Sequence, residues 1–200
     1  AGEAAFGLAV VDIPTGRFDV EEVAGDALEG ALHRIGPSEV LIPHKLEADG
    51  HVRAILKGLG AAVTPLADSV FDGVSAPDRI ARHFAVATLE GFGAFHRAEL
   101  SAAAAALSYV EETQLGRRPP LDRPRRRAAG RFMAIDAASR QSLEILRTQG
   151  GERAPTLFSS VDRTVSPPGA QLLAERLSAP SAEVGEIARR HEAVDALLAD

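Results

Sequence analysis

The chain has 200 residues, 46% of them hydrophobic and 25% charged, with a formal net charge of −6, a length that supports one large domain or two small ones with cores of their own. It has no Cys, which excludes disulfides and thiolate metal sites, no apolar run of bilayer-crossing length and nothing like a signal peptide, so a cytoplasmic setting is expected. Charge is uneven: residues 1–100 hold 8 Lys and Arg against 15 Asp and Glu, residues 101–200 hold 14 against 13, and the two halves read as different bodies.

From the N-terminus, "AAFGLAVVDIPTGRFDVEEV" predicts two strands around a Pro-Thr-Gly turn, with alternation strongest in Arg17, Phe18, Asp19 and Val20. "GDALEGALHRIG" puts Leu28, Ala31, Leu32 and Ile35 on one helical face, with Asp26 as N-cap and Gly36 past the end. "SEVLIP" and "AAVTPLA" read as short strands separated by a weakly helical "HVRAILKGLG". In "APDRIARHFAVATLEGFG" Pro77 suits a first turn, and Ile80, Phe84 and Leu89 face inward. The unbroken, Ala-rich run "AELSAAAAALSYVEETQL" predicts a long helix from Ala98 to about Leu115.

"GRRPPLDRPRRRAAG", residues 116–130, contains six Arg and three Pro and suits neither a helix interior nor a central strand. It is taken as the domain boundary. Beyond it, "RFMAID" is read as a short strand, and Asp136 as the cap of a helix that carries Leu143 and Leu146 and stops at Gly150-Gly151. Ser166 before Pro167 and Pro168 marks a further helix start, with Leu172, Leu173 and Leu177 as its apolar stripe and Pro180 as its stop. Ser181 then caps a last helix on which Val184, Ile187, His191, Val194 and Leu198 recur at helical spacing, His191 as a packed residue of that stripe.

Motifs of small-molecule chemistry are scarce. "GLGAAV", residues 58–63, leads into a strand instead of following one and lacks a third Gly, so it reads as a plain turn. No G-x-x-x-x-G-K-[ST] cradles a phosphate, no G-x-S-x-G offers a nucleophile, and the six His show no paired ligand spacing. Clustered guanidinium groups at Arg125, Arg126 and Arg127 are the best candidates for neutralising nucleic-acid phosphates, against the plainer reading of a solvated interdomain loop, with Phe132 the nearest ring for stacking.

The order of motifs carries a resemblance. "MAIDAASRQSLEI" matches a Met-x-Leu-Asp step into an Arg-Asn-Leu-Glu helix through Met133, Asp136, Arg140, Leu143 and Glu144, with Ser142 in place of Asn. "VDRTVSPPGAQLLAERL" matches a Leu-Asp-x-Thr-x-Thr, Gly, Arg-x-Leu pattern through Asp162, Thr164, Gly169 and Leu172, with Pro168 where Met is common and Gln171 where Arg is common. The second half thus resembles the start of the core domain of MutS-family DNA mismatch repair proteins. The first half resembles that family's connector, through "FGLAVVDIPTGRFDV", "PSEVLIP" and "YVEETQ".

This resemblance implies a fold class of α/β followed by all-α: an RNase H-like mixed-sheet connector over 1–115 with its long C-terminal helix, a linker over 116–130 that serves as hinge, and the beginning of a helical core over 131–200. It implies no enzyme in this segment, which would couple the DNA-reading and ATPase ends of a homodimeric parent that binds mismatched DNA, ATP or ADP, and Mg²⁺. It also implies a docking surface for MutL, with Asp78 and Arg79 as contacts exposed at the start of their helix. With its only Met at position 133, the chain reads as an interior piece of something longer. Two other readings stand beside this one. An RNase H-like fold invites a metal-dependent nuclease using Asp12 with Glu29 and Asp68, against which Asp12 is more simply a support for the hairpin turn; the other is a stand-alone adaptor.

Overall fold

A computed structural model describes residues 5–115, 118–127 and 130–199. The chain divides into two compact units, one comprising Ala1–Leu32 and Gly36–Ala129, the other His33–Ile35 and Gly130–Asp200.

The first unit opens with the expected hairpin. Strands β1 (Ala5–Asp12) and β2 (Arg17–Ala24) pair antiparallel in the register Val11 to Phe18 and Ala9 to Val20. The turn is closed by a bond from the Gly16 amide to the Ile13 carbonyl, with Gly16 at φ +74°, where glycine is favoured. Helix α1 (Leu28–Ile35) ends on Gly36 in left-handed conformation, and strand β3 (Glu39–Pro43) runs through the short helix α2 (His44–Glu47) into α3 (Gly50–Leu59), capped by the Asp49 carboxylate. Strand β4 (Ala62–Leu66) pairs parallel with β3. Helices α4 (Ala76–His83) and α5 (Arg97–Thr113) follow, and strand β5 (Arg125–Arg126) pairs parallel with β2.

Because side chains alternate across a strand, the hairpin feeds two cores. On one face Ala9, Val11, Phe18 and Val20 meet Ala76 and Ile80 of α4 and Ala103, Ala104 and Leu107 of α5. On the other, Phe6, Leu8 and Val23 meet Leu28 and Leu32 of α1, Val40 and Ile42 of β3, and Val52, Ile55 and Leu56 of α3. The small side chains of α5 let its backbone come close to β1: a Cβ on Gly7 would lie 2.1 Å from the Ala98 carbonyl oxygen. These are helices on two faces of small sheets, a mixed α/β unit in which the described strands form a three-stranded sheet β1-β2-β5 and a two-stranded sheet β3-β4.

Three local expectations differ from what is observed. Asp26 does not cap α1, whose N-cap is Ala27, because Gly25–Ala27 forms a 3₁₀ turn ahead of it. The helix beginning at Ala76 stops at His83, and Phe84 and Leu89 reach the core from the irregular segment beyond it. Residues 118–127, assigned to a linker from composition, instead run along the first unit.

The second unit is helical, as expected, with α6 (Ala137–Ser142), α7 (Leu157–Val161), α8 (Pro167–Ser178) and α9 (Val184–Leu198). "RFMAID" forms only an isolated bridge, Phe132 opposite Ser181. Asp136 caps α6 by accepting the Ser139 amide at 2.8 Å, but that helix stops at Ser142, far short of Gly150. Glu144 adopts a left-handed φ of +44°, its carbonyl takes the Leu157 amide at 3.0 Å, and its carboxylate takes the Gln149 amide at 2.8 Å. The turn this creates buries Ile145 and leaves Leu143 and Leu146, expected on that helix, exposed. On α9, Ser181 takes the Glu183 amide, Glu183 is the N-cap, and His191 is exposed instead of packed.

Candidate functional site

The Arg-rich segment is held down by a set of specific contacts. Leu121 packs against the core of Phe18 and Val20, and Pro124 is buried. The Asp122 amide donates to the Gly16 carbonyl at 2.6 Å and the Arg127 amide to the Val20 carbonyl at 2.7 Å, bracketing the β2–β5 pairing. Arg126 Nε donates at 2.8 Å to Oε1 of Glu99, a wholly buried carboxylate in the first turn of α5 whose Oε2 takes the His96 amide at 2.6 Å. Arg127 Nη2 donates at 2.7 Å to the buried Asp19 carboxylate, which also takes Arg17 Nε. Arg118 pairs with Glu111 at 3.0 Å, and Arg123 lies over the Phe92 ring at 5.2 Å. Only Arg125 of the three candidate arginines leaves its side chain largely in solvent, 75% exposed, with Asp122 at 3.5 Å. Arg126 and Arg127 thus already serve as counter-ions to buried acids, so the solvated loop expected from the charge run is replaced by an edge strand.

On α4 the two expected contact residues part company. Asp78 is exposed. Arg79, also expected to be exposed, turns inward: Nη1 donates to the Val70 carbonyl at 2.7 Å, and Nη2 to the Ala104 carbonyl at 3.1 Å and to the Ser108 hydroxyl. It clamps the 68–71 turn and α4 to α5 because its fork satisfies several acceptors at once. The turn before α4 is set by Asp72, whose carboxylate takes the Val74 and Ser75 amides at 3.0 Å each. The Val74 amide first, then the Ser75 hydroxyl and amide, pull the Asp72 pKa down from the usual 3.8 to about 2.

The carboxylates of the nuclease reading do not converge. Asp12 takes the Thr15 hydroxyl at 2.7 Å within the hairpin turn, Asp68 takes the Lys45 amide at 3.1 Å, and Glu29 is exposed on α1. Among the described residues no group of three His, Asp or Glu is arranged to hold a metal ion, and no helix is long and apolar enough to cross a membrane. "GLGAAV" is the end of α3, left-handed Gly60 and the start of β4.

In the second unit, the motif residues build a corner. Asp162 Oδ1 takes the Thr164 hydroxyl at 2.7 Å and its amide at 2.9 Å, and these two bonds, the hydroxyl first, depress the Asp162 pKa. Ser166 Oγ then takes the Gly169 amide at 3.3 Å to start α8, and a Cβ on Gly169 would meet that same oxygen at 3.1 Å. The motif's Asp, Thr and Gly therefore fix where one helix ends and the next begins.

Comparison with known proteins follows the same order along the chain. The family model for MutS domain II matches residues 1–122, and that for MutS domain III matches residues 138–200. The chain belongs to the MutS family. It is 48% identical over 200 residues, all of the chain, to the DNA mismatch repair protein MutS of Rhodopseudomonas palustris (strain BisB5), covering 22% of that protein. It is 46% identical over 195 residues to the MutS of Nitrobacter winogradskyi (98% of the chain, 22% of the relative) and 48% identical over 194 residues to that of Bradyrhizobium sp. (strain ORS 278) (97% and 21%). The chain thus spans about a fifth of the length of these MutS relatives. Between the two matched MutS domains lie residues 123–137, which include β5 and the tethered Arg126 and Arg127.

Proposed function

We propose that the chain is the part of a DNA mismatch recognition protein that joins a DNA-reading end to an ATP-binding end and presents a docking surface to MutL. The carrying observation is that domains II and III of the MutS family match in order along this one chain, at 48% identity to a whole-chain relative. The activities belong to the complete protein: binding of mispaired duplex DNA, exchange of ADP for ATP with Mg²⁺, and homodimer formation in the cytoplasm. This segment has a mechanical role, and an RNase H-like ancestry of its first unit would supply a scaffold without the nuclease chemistry.

The docking surface is centred on Asp78. Arg79 supports it from beneath by fixing α4 on α5, and Asp72 by fixing the turn that starts α4. Direct contact with DNA phosphate falls to Arg125, since Arg126 and Arg127 are bound to buried acids. The test is capture of MutL on mismatched duplex by the complete protein with ATP. Asp78→Arg is expected to weaken capture at least tenfold while mismatch binding stays intact, a change on the order of 1.4 kcal/mol. Undiminished capture by Asp78→Arg would remove the docking assignment. Asp12→Asn, which leaves the proposed surface intact, serves as the control.

A further inference from the structure

We infer that Glu99 and Asp19 form a two-point electrostatic seat that fastens residues 118–127 to the first unit as a fixed strap, so that this unit delivers its movements to the following chain at Arg127. The inference deepens the coupling role proposed above and rests on it for that consequence alone; the seat itself stands on geometry.

Glu99 is fully buried at the N-terminus of α5, where the helix dipole and the His96 amide stabilise one side of the carboxylate. The other oxygen has Arg126 Nε at 2.8 Å. A buried carboxylate left without its counter-ion is strongly unfavourable, so the arginine is held by the acid's need as much as by its own hydrogen bonds. His96 extends the seat. Its Nδ1 lies 2.8 Å from Glu22 Oε1, and Arg126 Nη2 lies against the ring, 3.0 Å from Nε2 and 3.2 Å from Nδ1. At the second point Asp19 receives guanidinium groups from within its own strand, Arg17, and from the strap, Arg127.

Backbone contacts along the strap add to the fit. The Asp122 amide bonds to Gly16 of the hairpin turn and the Arg127 amide to Val20 of β2, and the Pro120 carbonyl oxygen would be only 2.7 Å from a Cβ at position 16. Gly16 therefore serves both the hairpin turn and the passage of the strap. Leu121 and Pro124 supply the apolar contacts that charge alone would not. Detachment would expose this apolar surface, strand the buried Glu99 carboxylate and leave Asp19 with Arg17 alone, so the strap is a fixture of the first unit.

The test is amide hydrogen exchange on the 200-residue chain, resolved along residues 118–127. In the unaltered chain the Asp122 and Arg127 amides are expected to be protected on a level with β2. Arg126→Gln and Arg127→Gln should each speed exchange across the strap by about tenfold or more, with β1–β2 amides unchanged, since a charged hydrogen bond is at stake. Arg125→Gln should change nothing, and Arg126→Lys should restore part of the protection. Unprotected strap amides in the unaltered chain, or a strap indifferent to Arg126→Gln, would overturn the seat. If Arg126→Gln prevents folding, the double variant Glu99→Gln with Arg126→Gln leaves no buried charge: a folded unit with a fast-exchanging strap supports the seat, and full protection overturns it. A released strap with undiminished MutL capture by the complete protein would sink the coupling role and leave the seat standing.

Discussion

At the scale of single residues, Asp72 shows how a solvent-facing carboxylate becomes structural through backbone donors. Its pKa is lowered to about 2 by the Val74 and Ser75 groups it accepts from. A depressed folded-state value means that the stabilisation is fully present above the unfolded value of 3.8 and is lost as pH falls toward 2. Asp72→Asn should therefore flatten the fall in stability between pH 4 and pH 2, which denaturant midpoints measured across that range will show; an unchanged slope would separate the turn from acid sensitivity. Gly7 is the steric counterpart. With the Ala98 carbonyl oxygen 2.1 Å from a would-be Cβ, Gly7→Ala must push β1 away from α5, and a loss of roughly 1–3 kcal/mol is expected in urea unfolding. Neither role was visible in sequence. Asp72 stood in an irregular stretch, and Gly7 lay within a run that reads as any alternating strand.

At the scale of elements, legibility followed range. The hairpin, β3, β4, α5 and the Pro167 start of α8 are set by neighbours a few residues away, and alternation, Ala content or Ser-Pro-Pro disclosed each of them. The strap was missed because its partners are remote: Arg126 meets an acid 27 residues back and Arg127 one 108 residues back. Composition therefore returned only a Pro- and Arg-rich loop. The inward turn of Arg79 is hidden from the sequence for the same reason, since the carbonyl and hydroxyl that hold it lie 25 and 29 residues on. The expected helix from Asp136 to Gly150 fails differently: it stops at Ser142, and left-handed Glu144 turns the chain so that Ile145 is buried and Leu143 and Leu146 are exposed. Capping, in contrast, was readable. Ser166→Ala should cost the second unit about 1 kcal/mol, read as an earlier loss of α8 helicity on heating, and an unmoved transition would mean that Pro167 and Pro168 start the helix unaided.

At the scale of the whole molecule, the two units differ in what holds them together, and they should not unfold together. The first unit buries two clusters of apolar side chains, seven residues around Phe18 and Ile80 and six around Leu32 and Ile55. Among the described residues of the second unit, Ile145 is the one fully buried hydrophobic side chain, while Leu143, Leu157, Val165, Leu172, Val184, Leu197 and Leu198 are exposed. Burial of apolar surface is the main favourable term in folding, so the second unit relies on caps, on turns such as Asp162-Thr164 and on the surface pairs of Glu186 with Arg189 and, half-buried, with Arg190. Contributions of that kind hold a helix locally but add little cooperativity, and opening free energies should be low there and high in the first unit. Two transitions are therefore expected in urea. An early, shallow loss of helical signal should coincide with fast exchange in α8 and α9, and a later, steeper one with exposure of β1, β2 and α5. In the early transition Leu197→Glu and Leu198→Glu should each shift stability by no more than about 0.5 kcal/mol, as at any solvated position. A single transition with coincident probes, or a large loss from either Leu substitution, would mean that α9 is packed in solution and that the second unit has a core of its own.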